Sequence, residues 1–272
     1  MLVKKILKRT YFAALSLRRQ LTPPRPLKYR STKKAFPLVL SIFETIQLIQ
    51  QGFSLCRYGD AEFDTMLQKN INDPYQNPSN QLSERLSQIL KSDKKRLLIS
   101  IPPFYDEYND AKFGFYSFWE WYWVLRFHEL RPFLNLNKKY GNALVSRTTA
   151  FHHVDVREFN KIWEHKEVVL IRGRNSRFIF DERVFKDVKL IAEIFVPATN
   201  AYSEYDRILS DALEFDSSKL FLVAAGPTAT VLCFDLHVSG RQALDIGHLT
   251  NCYLEYIGEA SAPENYPMEI SS

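Results

Sequence analysis

Asp60 and Glu62 stand one residue apart in "SLCRYGDAEF" (54–63), directly behind Arg57 and Gly59. In an extended or turn backbone, residues two apart point the same way. Both carboxylates can then converge on one point, an arrangement that two negative charges tolerate only with a cation between them. Oxygen ligands of this kind suit Mg2+ or Mn2+ sharing phosphate oxygens. Gly59 lets the backbone approach a ligand, and Arg57 is placed to neutralise phosphate. The competing explanation is an acidic first turn of a helix, where Asp and Glu are favoured.

Other segments place chemistry at comparable positions. In "VAAGPTATVLCFDL" (223–236) an apolar run meets Gly226, Pro227 pre-sets a helical start, and Thr228 and Thr230 offer hydroxyls beside exposed N–H groups. Such a helix end is an anion site, or simply a well-capped crossover. No Lys follows as in a Walker A loop, and G-x-G-x-x-G is absent, which disfavours a kinase or dehydrogenase. "ALDIGH" (243–248) supplies Asp245 and His248, and "VPATNAYSEYD" (196–206) supplies Asn200 and Tyr202 for base or ribose contacts, or as an ordinary polar turn. "YGNALVSRTTA" (140–150) adds Asn142, Ser146 and Arg147, the arginine suiting phosphate or a salt bridge equally well.

The elements that must position these residues are legible as apolar, β-rich runs at 54–57, 96–101, 143–146, 167–173, 188–197, 219–226 and 242–247. Helical patterns lie between most of them, such as "LSERLSQILK", "DVREFNKIW", "SEYDRILSDALEF" and "TATVLCFDLHVSG". Ahead of the first run, "SIFETIQLIQQG" has capping-box spacing at Ser41 and Glu44 and stops at Gly52. Strands alternating with helices imply an α/β fold: a Rossmann-like, mostly parallel sheet with helices on both faces, whose ligands bind beyond the strands' carboxyl ends. The aromatic stretch "FGFYSFWEWYWVLRFHELRPFL" (113–134) is a buried helix or an acceptor groove for flat sugar faces.

A chain of 272 residues, 46% hydrophobic and 14% aromatic, can bury a substantial core. Three cysteines, Cys56, Cys233 and Cys252, form neither a disulfide framework nor a zinc spacing, consistent with a reducing compartment. Eleven of the 36 Lys/Arg and no acid lie in residues 1–43, leaving 25 bases against 31 acids and a net charge of −6 in the remainder. We therefore divide the chain into a basic amphipathic, Pro-rich extension (1–37) and one α/β domain (38–272). The head is too short in apolar run to span a bilayer and lacks a cleavage site. Residues 1–34 are expected to rest on an anionic membrane surface or to form a solvated basic tail; nucleic acid is not expected, for the motif and interleaved aromatics are missing.

Taken in order, "SIFETIQLIQQGFSLCRYGDAEF", "YGNALVSR", "VPATNAYSEYDRIL" and "GPTATVLCFDLHVSGRQALDIGH" resemble the GT-D-fold glycosyltransferases, once a domain of unknown function, from about Ser41 to His248. The resemblance implies a divalent metal, Mn2+ or Mg2+, held at Asp60 and Glu62 and bridging the diphosphate of a nucleoside-diphosphate sugar, with UDP the expected nucleotide. It implies a glycan, lipid-linked glycan or glycoprotein acceptor in surface-glycan synthesis, in the cytoplasm or on the inner membrane face. The expected donor-site residues are Arg57, Gly59, Asn200, Gly226, Pro227, Thr228 and Thr230. Candidates to take the acceptor's proton are Asp245, His248 and Glu255.

Two departures stand out. Family members read Asp-x-Glu-Tyr after the Gly-His pair, whereas this chain reads "LTNCYLEY", with Thr250 and Cys252 at the acidic positions. The "IRGRNSRF" loop is basic, with Arg172, Arg174 and Arg177 suited to a charged donor, a phosphate-bearing acceptor or solvent. The first departure leaves open a weakened partner subunit that only binds nucleotide-sugar or glycan. A metal-dependent phosphodiester hydrolase is a third class, disfavoured by the lack of a second dense acid/His cluster.

Overall fold

Glycines, caps and apolar runs divide the chain much as its patterning implies. The computed structural model describes residues 26–69, 76–105 and 117–266. Most of the basic head therefore lies outside the described residues. Pro26, within the Pro-rich extension, opens a helix, where its missing N–H costs nothing. The elements run α1 (Pro26–Ala35), α2 (Ile42–Gln50), β1 (Ser54–Arg57), α3 (Asp60–Met66), α4 (Asn80–Leu90), β2 (Leu97–Ile101), α5 (Phe118–Leu130) and β3 (Gly141–Asn142). They continue with α6 (Thr148–His153), α7 (Val156–Trp163), β4 (Glu167–Gly173), β5 (Lys189–Val196), α8 (Tyr205–Leu213), β6 (Leu220–Ala224), α9 (Pro227–Val238), β7 (Gln242–Asp245) and α10 (Leu249–Tyr256).

The chain forms two units, Met1–Pro37 with Pro103–Asn137, and Leu38–Pro102 with Lys138–Ser272. In the smaller unit, residues Phe118–Leu130 of the aromatic stretch form a helix whose Trp119, Tyr122, Trp123 and Phe127 are buried. Ser117 and Glu120 cap it reciprocally, and Phe36 sets its ring edge against Trp123 at 4.8 Å. These buried rings serve packing rather than a sugar groove.

In the larger unit, seven parallel strands lie in the order β3-β2-β1-β7-β6-β4-β5. Helices α3, α4, α8 and α9 pack together on one face, and α2, α6, α7 and α10 on the other. Every residue of β2 is buried, and β6 is buried up to its last residue, as expected for strands covered on both sides. Ser41 and Glu44 form the anticipated capping box on α2, which buries Ile42, Ile46 and Ile49 on one stripe. Residues 143–146, expected as a strand, form a 3-10 turn instead. The Asn142 side chain accepts the Leu144 N–H at 2.9 Å and so ends β3 after two residues.

This topology locates the site. From β4 the chain moves outward to β5, whereas from β6 it moves inward to β7, so the connections diverge between β6 and β4. Loops leaving the carboxyl ends there, and at the neighbouring β7 and β1, border the crevice where α/β sheets bind ligands.

Candidate active site

Arg57 closes β1 and reaches Asp245 at the end of β7, Nη2 to Oδ1, 3.5 Å. Asp245 is 1% exposed, and it also accepts the Gly247 N–H at 3.1 Å and faces the Thr230 hydroxyl at 3.5 Å. Burial pushes its carboxyl above the usual range, and the Arg57 charge pulls it back. The guanidinium fits because residue 247 has no side chain. A Cβ there would lie 2.3 Å from Arg57 Nη2 and 3.2 Å from Ser146 Oγ, on a backbone with φ +48°. Arg57 Nε and Ser146 Oγ are buried beside this glycine without a hydrogen-bond partner. Gly247→Ala is expected to displace Arg57 and strain the turn, lowering stability by about 2 kcal/mol or more in urea denaturation.

Asp60 and Glu62 do not sit on an extended backbone. They are the first and third residues of α3, capped by Gly59. Two positions apart on a helix, side chains diverge by about 200°, so the expected convergence of the pair is corrected. Glu62 turns back to accept the Gly59 N–H at 2.6 Å and is 5% exposed. Burial raises it to about 7, opposed by Arg57 and reinforced by Asp245. Asp60 is exposed as a residue, yet crowding by protein atoms raises its carboxyl, with the Arg147 charge acting in the other direction. Magnesium-type sites take one or two carboxylates plus phosphate oxygens. Asp60 fits that donor set, whereas the inward-turned Glu62 does not. Among the described residues, no group of three or more His, Cys, Asp or Glu side chains forms a metal cluster.

His248 follows Gly247 and meets Arg177 from the loop after β4, Nε2 to Nη2, 3.0 Å. A guanidinium can only donate, so Nε2 accepts and the ring is neutral with its proton on Nδ1. Burial, Arg177 and Arg147 together hold its pKa well below the usual value. Its Nε2 lone pair is therefore engaged and cannot take an acceptor's proton. Glu255, near the end of α10, accepts the Thr148 hydroxyl. Thr250 and Cys252, at the family's acidic positions, are buried.

Two arginines of the basic loop are committed to structure. Arg172 is bidentate to Glu193 at 2.6 and 3.2 Å, and Arg177 also donates to the Pro263 and Tyr266 carbonyls. Arg174 lies over the Phe195 ring, 4.8 Å from its centroid.

The first turn of α9 connects two parts of the site. Gly226 adopts φ +56°, ψ −145°, a backbone essentially restricted to glycine, and Pro227 follows at the helix start. Thr230 donates to the Arg57 carbonyl at 2.8 Å, and Thr228 donates to Gln76 at 3.3 Å. Both threonines are buried, so their hydroxyls brace the turn rather than project from it. The Gln76 amide also donates to Asn200 Oδ1 at 2.5 Å and accepts the Tyr202 N–H at 3.3 Å. Gln76, Asn200, Tyr202 and Tyr205 border a polar cavity of about 610 Å³ beside the N-termini of α4 and α8. The sequence singled out Asn200 but not Gln76, which joins it only once residues 76, 200 and 228 meet. Nor did it single out Glu264, which accepts from Arg147 and carries no motif.

The family model for the glycosyltransferase GT-D fold matches residues 55–267. The chain belongs to the GT-D glycosyltransferase family. Two solved structures agree with that placement. One, described as a domain of unknown function 1792 with a distinct glycosyltransferase fold, is 26% identical, with a TM-score of 0.71 over 86% of this chain and 87% of that one. The other, described as a new glycosyltransferase from Streptococcus sanguinis, is 27% identical, with a TM-score of 0.67 over 83% and 86%. Among curated relatives, the probable glycosyl transferase Gly of Streptococcus gordonii is 29% identical over 79% of this GT-D chain and 32% of its own length. Glycosyltransferase GlyD of Streptococcus pneumoniae is 27% identical over 79% and 27%. The GT-D chain thus spans less than a third of either curated relative.

Proposed function

We propose that this chain transfers a sugar from a nucleoside-diphosphate sugar, with UDP the favoured nucleotide, to a glycan, lipid-linked glycan or glycoprotein hydroxyl. The observation that carries this is the set of groups at the carboxyl ends of neighbouring strands: Asp60, the Arg57 guanidinium, the Gly226 helix start and the polar cavity, inside a family of glycosyltransferases. The nucleoside would occupy the cavity, with Tyr202 offering a ring face and Asn200, held by Gln76, offering a polar edge. The diphosphate would lie along the first turn of α9 toward Arg57, where N–H groups and guanidinium offset its charge.

Asp60 is the residue that would hold Mg2+ or Mn2+ there, and such an ion supplies charge stabilisation to a departing phosphate oxygen. Arg57, kept in place by Asp245 and by the bare Cα of Gly247, would bear directly on the leaving group. An acceptor at an anionic membrane surface is supported by the exposed Lys28, Arg30, Lys33 and Lys34 on α1. Among the described residues, no helix is long and apolar enough to cross a membrane.

Calorimetric titration of UDP into the wild-type protein, with and without Mn2+, tests the donor reading. Micromolar binding that weakens at least tenfold without the metal is the expected result. Absence of binding to UDP, GDP and dTDP alike would overturn it.

A further inference from the structure

Sugar transfer requires a group to take the acceptor's proton, and the candidates from sequence are engaged elsewhere. Asp245 is buried against Arg57 and Gly247, Glu255 holds Thr148, and His248 accepts from Arg177. A different carboxylate does reach this end of the sheet. Glu264 lies on the 3-10 turn Pro263–Asn265, its side chain 42% exposed, and accepts from Arg147 Nη2. That turn is tied down by Arg177, which donates to the carbonyls of Pro263 and Tyr266 while its other terminal nitrogen donates to His248. Glu264 is thus fixed to the loops after β4 and β7 rather than trailing from α10.

Its partners bring it to the Arg57 end of the sheet: Arg177 joins its turn to His248, the residue after Gly247, and Arg147 follows Ser146, whose Oγ lies beside the same glycine as Arg57 Nη2. Arg147 and Glu264 act in opposite senses on both Asp60 and His248. Burial would raise the Glu264 carboxyl, but the charge and hydrogen bond of Arg147 hold it down at about 2, where a carboxylate is a poor proton acceptor. A guanidinium fork matches phosphate as well as carboxylate, so a diphosphate seated beside Asp60, with its greater charge, competes with Glu264 for Arg147. Once released, this half-buried carboxylate becomes more basic.

We infer that Glu264 accepts the proton of the acceptor hydroxyl, and that its ion pair with Arg147 keeps it masked until the donor's diphosphate draws Arg147 away. In the step, the acceptor oxygen bonds to the anomeric carbon. The bond from that carbon to the phosphate oxygen breaks, its electron pair leaves with the nucleoside diphosphate, and the hydroxyl proton passes to Glu264. The inference rests on the nucleotide-sugar reading above.

The two roles of Glu264 give opposite signs in one variant. Glu264→Gln no longer competes as an anion for Arg147, so UDP with Mn2+ should bind about three- to tenfold tighter by calorimetry. The same variant should release nucleotide from UDP-glucose or UDP-N-acetylglucosamine about a hundredfold more slowly than wild type. Glu264→Asp keeps the charge and should recover part of that rate, which guards against a loss due to misfolding of the turn. A purely structural clamp would instead give weaker or unchanged UDP binding in Glu264→Gln, and that result, or a rate within threefold of wild type, overturns the inference. If the wild type binds UDP but the variant shows neither change, only this inference fails. If the wild type binds no nucleotide, the donor reading fails and this inference with it.

Discussion

Asp60→Asn is expected to lower sugar transfer by about a thousandfold while leaving the fold intact. Asparagine nearly matches aspartate in shape and is accepted in a helix's first turn, and residue 60 is exposed, so stability should change by less than about 1 kcal/mol. What disappears is the carboxylate at the first residue of the turn and, with it, the oxygen donor it would offer a divalent ion. Several kcal/mol of charge stabilisation at a departing phosphate oxygen is worth about three orders of magnitude in rate. Glu62→Gln should differ in kind: its carboxyl is turned inward to the Gly59 N–H, so Mn2+-dependent UDP binding should survive with at most a severalfold loss. Calorimetry on both variants with and without Mn2+, alongside thermal melts, separates the cases. Retention of metal-dependent binding by Asp60→Asn with its loss in Glu62→Gln would assign the ion to Glu62 and contradict the geometry of α3.

The sheet was legible because a parallel strand covered on both faces must be apolar throughout, and residues 97–101, 167–173 and 220–224 are short, β-rich runs of that kind. The direction of Asp60 and Glu62 was not, for a local reason. A capping box is usually announced by Ser or Thr at the cap, and here the cap is Gly59, which has no side chain to signal it. Without that cue, Asp60 and Glu62 read equally well as an extended pair or as a helix's first turn. At 143–146 the apolar letters favour a strand, but the Asn142 side chain competes for the backbone and wins.

The site itself was legible only in pieces. Arg57, Asp245 and Gly226 stand where strands end, and strand ends can be read locally. The partnerships that decide what those residues do are long-range. Arg177 meets His248 across 71 residues and Arg147 meets Glu264 across 117, separations that no motif spacing encodes. The three arginines of the 172–177 loop look equivalent in sequence. The fold separates them, pairing Arg172 with Glu193, binding Arg177 to the C-terminal turn, and leaving Arg174 over Phe195.

Glu62 also sets the second large effect, on stability as a function of pH. Its carboxyl titrates near 7 in the folded chain against an ordinary value of 4.5, because burial outweighs the help of Arg57. Between those values the folded chain holds a proton that the unfolded chain has released. Raising the pH through this window therefore removes stability, by up to about 3 kcal/mol for this one group. Glutamine can still accept the Gly59 N–H but carries no charge to bury. In metal-free buffer, Glu62→Gln should match wild type at pH 5 and exceed it by about 2–3 kcal/mol at pH 8 in urea denaturation. Asp60, raised in the same direction, and His248, lowered, are common to both proteins and cancel in the difference. A variant less stable than wild type at both pH values would mean that Glu62 is ionised and paired with Arg57 in the fold. The carboxylate would then be available to a cation, and the role argued for Asp60 would have to be shared with it.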